Sequence, residues 1–510
     1  MPRDAPAEQT CPEQTRAKQT CAEQTCADHR SGDRRIARVI FLSLWALYAY
    51  IGPGESITGP NSVTRLAFVF SALQDHLPSI DAFAAMTVDR AIFASHAYMD
   101  KAPGLSLLAM PAVALAELLA SLVGLSVAPI AEGHFTPFFI LAGFLATALT
   151  SALWTAATAA GLWLFARHLR ASRAAAAFAA LGFALCTPAF GWATVFFSHA
   201  VAGACLFLGL VLAVLATEPA PPPAAGNPNR LACVAGALLS WAVVVEFTAA
   251  AAVALIAAAA LWRLRALPPR DRRVRPAAAL AGGLAAFLPL IAYNLWAFGT
   301  PAHFGYSDVV GFDGMKQGLF GVSLPRPEVL WALLFGIRRG LVWLSPLLAL
   351  IPLAWLACRH RLAPVLLAVL IAVPLATLLI VSGYAYWDGG ASTGPRHVIP
   401  ALPFACLALA PLWDHAGHRA RIAMLCLALV SFALSLIAAS VDMTALPGVE
   451  NPLADILLPR FLAGDIHTLL ILVGGHGLQG LLVVPLIALI GWRAAAPRRA
   501  PPSGLAALPA

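Results

Sequence analysis

Charge is scarce in this chain. Of its 510 residues only 11% are charged, against 60% hydrophobic. A soluble domain carries about a quarter charged residues, so a water-soluble globular fold is excluded. Period-two alternation is also missing from the apolar runs, which are about 18 to 30 residues long, the length of a bilayer-crossing helix. Only helices and closed barrels satisfy their backbone groups inside a bilayer. Without alternation a barrel is excluded, and the expected fold class is all-α, a polytopic helical bundle in a membrane.

Other signatures are absent too. There is no glycine-rich phosphate loop of the nucleotide-binding kind, and neither HExxH nor CxxC occurs. That argues against a cytoplasmic nucleotide-sugar enzyme and against ATP-driven transport, and no metal site is expected. Nine cysteines are present. Cys11, Cys21 and Cys26 lie near the N-terminus. Cys186, Cys205, Cys233, Cys358, Cys406 and Cys426 lie within or at the ends of apolar runs. None has metal-ligand spacing and no disulfide framework is evident, so they read as structural thiols. The net charge of +8 does not signal nucleic acid, because the arginines crowd into short loops between apolar runs, as the positive-inside rule expects.

Residues 1–35 are polar and repetitive: Glu8-Gln9-Thr10-Cys11-Pro12 recurs in variant form at 13–17, 18–22 and 23–27. Such a repeat cannot bury a core and is expected to be a disordered cytoplasmic tail; it is too long and too acidic for a signal peptide. A transmembrane domain over 36–493 and a cytoplasmic tail over 494–510 follow. Crossings are expected at about 36–52, 136–166, 172–190, 195–217, 229–246, 249–263, 276–298, 340–358, 362–384, 396–413, 420–440 and 467–492. The further apolar run at 104–123 contains Pro111 and is read as re-entrant or surface-lying. Only then do the basic loops Arg167–Arg173, Arg263–Arg275, Arg359–Arg361 and Arg419/Arg421 all share one side. The alternative is 13 segments with one basic loop outside. The expected location is a bacterial inner membrane, with both termini and the linker 218–228 cytoplasmic. The segments 53–135, 191–199, 299–339, 384–395 and 441–466 are then periplasmic, and the long first loop holds surface-lying helices.

The chemistry concentrates in those outer segments. Glu55, Asp75, Asp81, Asp89 and Asp100 lie in the first loop, where a carboxylate is suited to take a proton from an incoming nucleophile. Asp89 is the first choice, on a short helical segment expected from Asp89 to Ser95, and Asp100 the second, beside Lys101. Lys101, Arg338, Arg339 and Arg396 are outside against the usual charge bias, each next to an apolar segment. Cations there suit a lipid phosphate, with arginine able to make forked contacts; snorkelling to head groups is the plainer alternative. The loop Tyr384–Arg396 holds Tyr386, Trp387 and Asp388 among glycines, a setting for a sugar ring or an interfacial aromatic belt. His199 and the helix-end acid Glu246 are further candidates. Tyr293 and Tyr306 flank a 299–327 loop that is suited to cover the site.

The stretch Tyr98-Met99-Asp100-Lys101-Ala102-Pro103-Gly104 resembles the Y-x-D-K-P-P signature of the GT-C membrane glycosyltransferases, among which the protein O-mannosyltransferases and the lipid A aminoarabinose transferases are the nearest in pattern. Arg65-Leu66-Ala67 resembles the R-Y-A element of the first external loop there. Gly318-Leu319-Phe320-Gly321, Arg339-Gly340-Leu341 and Gly394-Pro395-Arg396 are similar to a bacterial branch, so the resemblance runs from about residue 36 to 440. One departure stands out: the acidic pair usual just before R-Y-A is replaced by Asn61-Ser62-Val63-Thr64. The resemblance implies an inverting transfer from a polyprenyl-phosphate sugar to a hydroxyl of an envelope glycan, lipid or protein. It implies Lys101 as a phosphate contact and leaves a divalent cation open; no other cofactor is expected.

The resulting expectation has Asp89 or Asp100 as catalytic acids, and Lys101, Arg338, Arg339 and Arg396 on the donor phosphate. Arg65, His96, Tyr98, His199, Tyr306, Trp387 and Asp388 are candidate substrate contacts. Partners are a polyprenyl-phosphate-linked sugar, membrane lipid and an acceptor of undetermined kind, with no nucleic acid. The competing expectation is a non-enzymatic lipid-sugar flippase or transporter, for which internal duplication and mid-membrane charges would be the mark.

Overall fold

A computed structural model describes residues 12–52, 55–219, 226–445, 448–475 and 477–496. The start of the expected N-terminal tail, residues 220–225 of the linker and the expected tail from 497 onward lie outside the described residues. The repeat from Pro12 onward continues directly into the first apolar run as one helix, α1 (Pro12–Ile51). Its Gln, Glu, Ala, Lys and Arg content favours helix once the apolar half is in place.

The remaining long helices follow in order. They are α2 (Pro60–Phe70), α3 (Gly104–Leu122), α4 (Pro137–His168), α5 (Arg173–Leu185), α6 (Ser198–Ala216), α7 (Pro228–Val245), α8 (Phe247–Ala266) and α9 (Pro269–Phe298). After them come α10 (Pro346–Cys358), α11 (Pro364–Gly383), α12 (Arg396–His415), α13 (His418–Val441) and α14 (Gly477–Ala495). The described residues hold two small antiparallel hairpins, β1 (Ala91–Phe93) with β2 (His96–Tyr98) and β3 (Ile130–Ala131) with β4 (His134–Phe135). The protein is an all-α membrane bundle. Of the thiols described, Cys186, Cys205, Cys358 and Cys406 are buried, Cys233 is half-buried and Cys426 is exposed, all unpaired.

Polar contacts sort the chain ends of the helices onto two faces. Asp33 receives Arg167 Nε and Arg173 Nε, each at 2.9 Å. His168 pairs with Glu218 at 2.7 Å, Arg263 donates to Thr217 and Arg275 to the Ala216 carbonyl. Ser172 bonds Asp414, and Arg35 donates to the carbonyls of Ala495 and Ala496. The arginine-rich loops and both described ends of the chain therefore share one face.

The run at 104–122 is long and apolar enough to count as a span on length and composition alone. Its contacts show another path. Ser106 Oγ bonds the Arg65 carbonyl, and farther along Gln74 reaches Glu117. The chain then turns through β3–β4 into α4, whose start meets α2 through the Phe70 and Phe138 rings, 5.6 Å apart, and whose far end is at Arg167. Both ends of α3 thus stay on the side opposite the arginine-rich face. Among the described residues ten helices, α3 included, are long and apolar enough to cross a membrane; α1 and α4 to α14 are the helices that run between the two faces.

The closest helix contact is between α7 and α9. A Cβ added at Gly236 would lie 1.9 Å from the Ala279 carbonyl oxygen, and one at Gly282 would lie 2.0 Å from that of Cys233. Small residues let backbones approach where burial of apolar surface gives little drive between helices in lipid. Gly282→Val is expected to force the pair apart and to destabilise by at least about 1–3 kcal/mol, the usual range for overpacking. A melting temperature in detergent equal to that of the unaltered protein would contradict this packing.

Candidate active site

The segment after α2 does not form the helix expected from Asp89 to Ser95. It is the β1–β2 hairpin, with Ala91 opposite Tyr98 and Phe93 opposite His96. Its two turn residues, Ala94 (φ 47°) and Ser95 (φ 68°), are both left-handed, the pairing whose twist matches that of adjoining strands. Asp81 supports the hairpin by accepting from Ala97 N–H and from the His96 ring, each at 2.7 Å. Burial alone would raise the Asp81 carboxyl, but these bonds hold it below its ordinary range. His96 is consequently spent on Asp81, with an exposed ring.

The hairpin delivers Tyr98 to Gly104 into the bundle. Tyr98 packs on Phe93 and Phe298. Lys101 Nζ lies 2.6 Å from Asp100 Oδ2 and 3.3 Å from Asp89 Oδ2. Asp100 is only 2% exposed. Burial pushes its carboxyl above the ordinary range, against the pull of Lys101. Burial also opposes the charge on Lys101, but Asp100 and Asp89 outweigh it and hold the ammonium above its usual range. Asp100 Oδ1 is buried with no hydrogen-bond partner among the described residues.

Gly104 is seated directly on the backbone of Val244, leaving no room for a Cβ. The segment therefore arrives beside the end of α7, where Glu246 breaks the helix with extended backbone. Arg65 joins the two. Its guanidinium donates to Asn61 Oδ1 at 3.1 Å, to the Ala102 carbonyl at 3.3 Å and to Ser198 Oγ at 3.1 Å. Ser198 in turn donates to Glu246 Oε2 at 2.8 Å. Thr248 Oγ1 reaches Glu246 Oε1 at 3.3 Å, and His199 Nδ1 is 3.5 Å from Oε2.

The third wall is the loop before α12. The Arg396 guanidinium lies over the Phe197 ring, 5.0 Å from its centroid, within electrostatic reach of Asp89, Glu246, Asp388 and Lys101. Its buried Nε has no partner among the described residues, nor has His397 Nε2. The His397 ring is 4.9 Å from that of His199 and 5.4 Å from that of Tyr384. Arg339 is placed differently from the expectation. It is wholly buried, with donors committed to the carbonyls of Asp388, Gly390 and Arg338. It braces the loop, because a guanidinium sealed from water must satisfy its donors locally. Arg338 pairs with Asp388 at 2.9 Å, and half-buried Trp387 packs on the apolar core.

The 299–326 segment covers this assembly. Gly305 lies against the Met99 carbonyl, Val310 N–H bonds the Arg90 carbonyl and Ala385 N–H bonds that of Gly321. Tyr306 meets Phe247 edge-on and Phe320 at a tilt and faces Arg65 and Glu246 electrostatically.

The structure thus unites Arg65, Asp89, Asp100, Lys101, His199, Glu246, Tyr306 and Arg396. Ser198, His397 and Tyr384 complete the site without having been singled out for it. Their signal was adjacency: Ser198 precedes His199, His397 follows Arg396, and Tyr384 opens the aromatic loop. Asp75 is exposed, and the Glu55 side chain lies outside those described. No group of three or more His, Cys, Asp or Glu suited to a metal ion occurs among the described residues.

No family model matches the chain, and no curated protein does. Two solved structures are similar to it over 90% of this chain and 74% of theirs. They are ArnT from Cupriavidus metallidurans in the apo state, at 14% identity and a TM-score of 0.46, and ArnT from Cupriavidus metallidurans bound to undecaprenyl phosphate, at 15% identity and a TM-score of 0.46.

Proposed function

We propose that the chain is a membrane glycosyltransferase that moves a sugar from a polyprenyl-phosphate donor to a hydroxyl of a cell-envelope acceptor, with inversion. The arginine-rich face is the cytoplasmic one by the positive-inside rule, so the site opens on the periplasmic side of the inner membrane. The observation that carries this reading is the uncommitted Arg396 guanidinium. It stands near Lys101 at a mouth where Lys101, Arg65, Arg338 and Arg339 all have hydrogen-bond or ion-pair partners. Arg396 is half-buried with its Nε sealed from water, and the desolvation cost of such a cation is offset where an anion arrives to meet it.

A lipid phosphate fits that place, with its chain in the bilayer and its head group at the mouth. As the bond between the anomeric carbon and the phosphate oxygen breaks, negative charge builds on that oxygen. Lys101 and Arg396 are placed to stabilise it without reorganisation. Asp89 and Asp100 hold Lys101 in position, and Arg65 locks the Lys101 segment to α6. Tyr306 and the 299–326 segment exclude water from the reacting atoms.

A flippase or transporter is the competing reading. Carriers of that kind place their sites near mid-membrane between matching halves, whereas these charges collect at one mouth. Purified protein in lipid nanodiscs, given a panel of radiolabelled polyprenyl-phosphate sugars, is expected to release free polyprenyl phosphate from at least one of them. Binding that depends on Lys101, with no release from any donor, would replace the transferase by a carrier.

A further inference from the structure

We infer that His199, held by Glu246, takes the proton of the attacking acceptor hydroxyl, a role that rests on the transferase reading above. The acids of the first loop are poorly placed for this task. Asp100 and Asp89 both face the Lys101 ammonium, at 2.6 and 3.3 Å. The ammonium thus occupies an oxygen of each carboxylate, and Asp100 is sealed from solvent.

The other wall holds an assembly made for proton transfer. Glu246 is fixed by hydroxyls on both oxygens, Ser198 on Oε2 and Thr248 on Oε1. His199 presents Nδ1 to Oε2 at 3.5 Å, a separation that is often loose before substrate binds. A carboxylate on one ring nitrogen selects the tautomer that leaves the lone pair on the other. The remaining nitrogen, Nε2, has no hydrogen-bond partner among the described residues, so it is free to accept. His199 opens α6 at the same mouth as Lys101 and Arg396, so the acceptor approaches between the base and the phosphate site.

The step balances. The acceptor oxygen forms a bond to the anomeric carbon, and its proton passes to His199 Nε2. The bond from that carbon to the phosphate oxygen breaks, and its electron pair leaves with the polyprenyl phosphate, opposite Lys101 and Arg396. His199 is the catalytic residue in this scheme; Glu246 and Ser198 are positioning residues.

The test is a pH profile of kcat and KM with the radiolabelled donor that the unaltered protein turns over. The groups facing His199 are Glu246 at the end of α7, Arg65 on α2, Lys101 before α3, and Arg396 and His397 on α12. His199→Gln is expected to lower kcat roughly 10²–10⁴-fold, the usual worth of general-base catalysis, with donor KM little changed and the acid limb of the profile gone. His199→Asn, which keeps a donor towards Glu246, is expected to behave alike, and retained donor binding verifies that either variant is folded. Glu246→Gln is expected to lower kcat less and to displace the acid limb. Asp89→Asn is expected to act mainly on donor KM. A folded His199 variant within fivefold of normal kcat, or one that keeps the acid limb, would overturn the assignment. So would loss of the limb in Asp89→Asn alone, which would return the role to Asp89. An unaltered protein that turns over no donor would remove the transferase reading itself, a failure distinct from these.

Discussion

Lys101→Ala is expected to lower sugar release from the donor by roughly 10²–10³-fold, the loss seen when one preorganised stabiliser of a developing oxyanion is removed. Two effects combine in that number. The departing phosphate loses a cation, and the Asp100 and Asp89 carboxylates lose the ammonium between them. The second effect is separable. In Lys101→Ala with Asp100→Asn the buried acid is neutral, so folding and donor binding by Arg396 should recover in part while turnover stays low. Arg396→Ala carries no such complication, since its guanidinium makes no hydrogen bond among the described residues. It should weaken donor affinity and turnover together and leave the melting temperature nearly unchanged. A Lys101→Ala protein with turnover near normal would remove the phosphate site from this mouth.

Arg65→Met should be the most damaging single change to stability in the site. Arg65 is 2% exposed and serves Asn61, the Ala102 carbonyl and Ser198 at once. Removing one member of a buried charged network costs about 3–5 kcal/mol, because the remaining charge is left uncompensated. The charge left here is Glu246, 7% exposed and linked through Ser198. Arg65→Met with Glu246→Gln should therefore be less destabilised than the sum of the single changes. Thermal unfolding of the four proteins in one detergent checks this. Strictly additive losses would mean that the two residues stabilise the fold independently.

Much of the architecture could be read directly from the residues. The apolar runs set an all-helical membrane bundle, with ten described helices long and apolar enough to span, and the basic loops were expected on one face, where the Asp33, Glu218 and Asp414 contacts gather several of them. The stretch Tyr98 to Gly104 drew attention because acids and a lysine adjoin a long apolar run there, and the structure seats it beside the end of α7. Asp89 was located but given the wrong local form. The run from Ala91 to Phe93 is too short for periodicity to separate strand from helix, and the two left-handed turn residues that settle it are Ala94 and Ser95, neither a glycine.

The roles of single side chains were another matter. Arg339 and Arg396 read alike in the sequence, each an arginine within two residues of a glycine at the edge of an apolar segment. Packing separates them: Arg339 is held by two carbonyls of its neighbouring loop and by that of Arg338, while Arg396 keeps a free edge over Phe197. His96 and His199 diverge in the same way, the first turned to Asp81 on the hairpin and the second to Glu246 from a distant helix. Hydropathy and charge balance are sums over neighbours in the chain, so residence in a membrane, helix content and loop polarity follow from composition and order. A side chain's burial, its partners and its free lone pairs depend on which distant backbone comes within about 3 Å of it. Those approaches are made when α2, α6, α7 and α12 pack together, and with them the choice of which charges are braces and which remain open to a ligand.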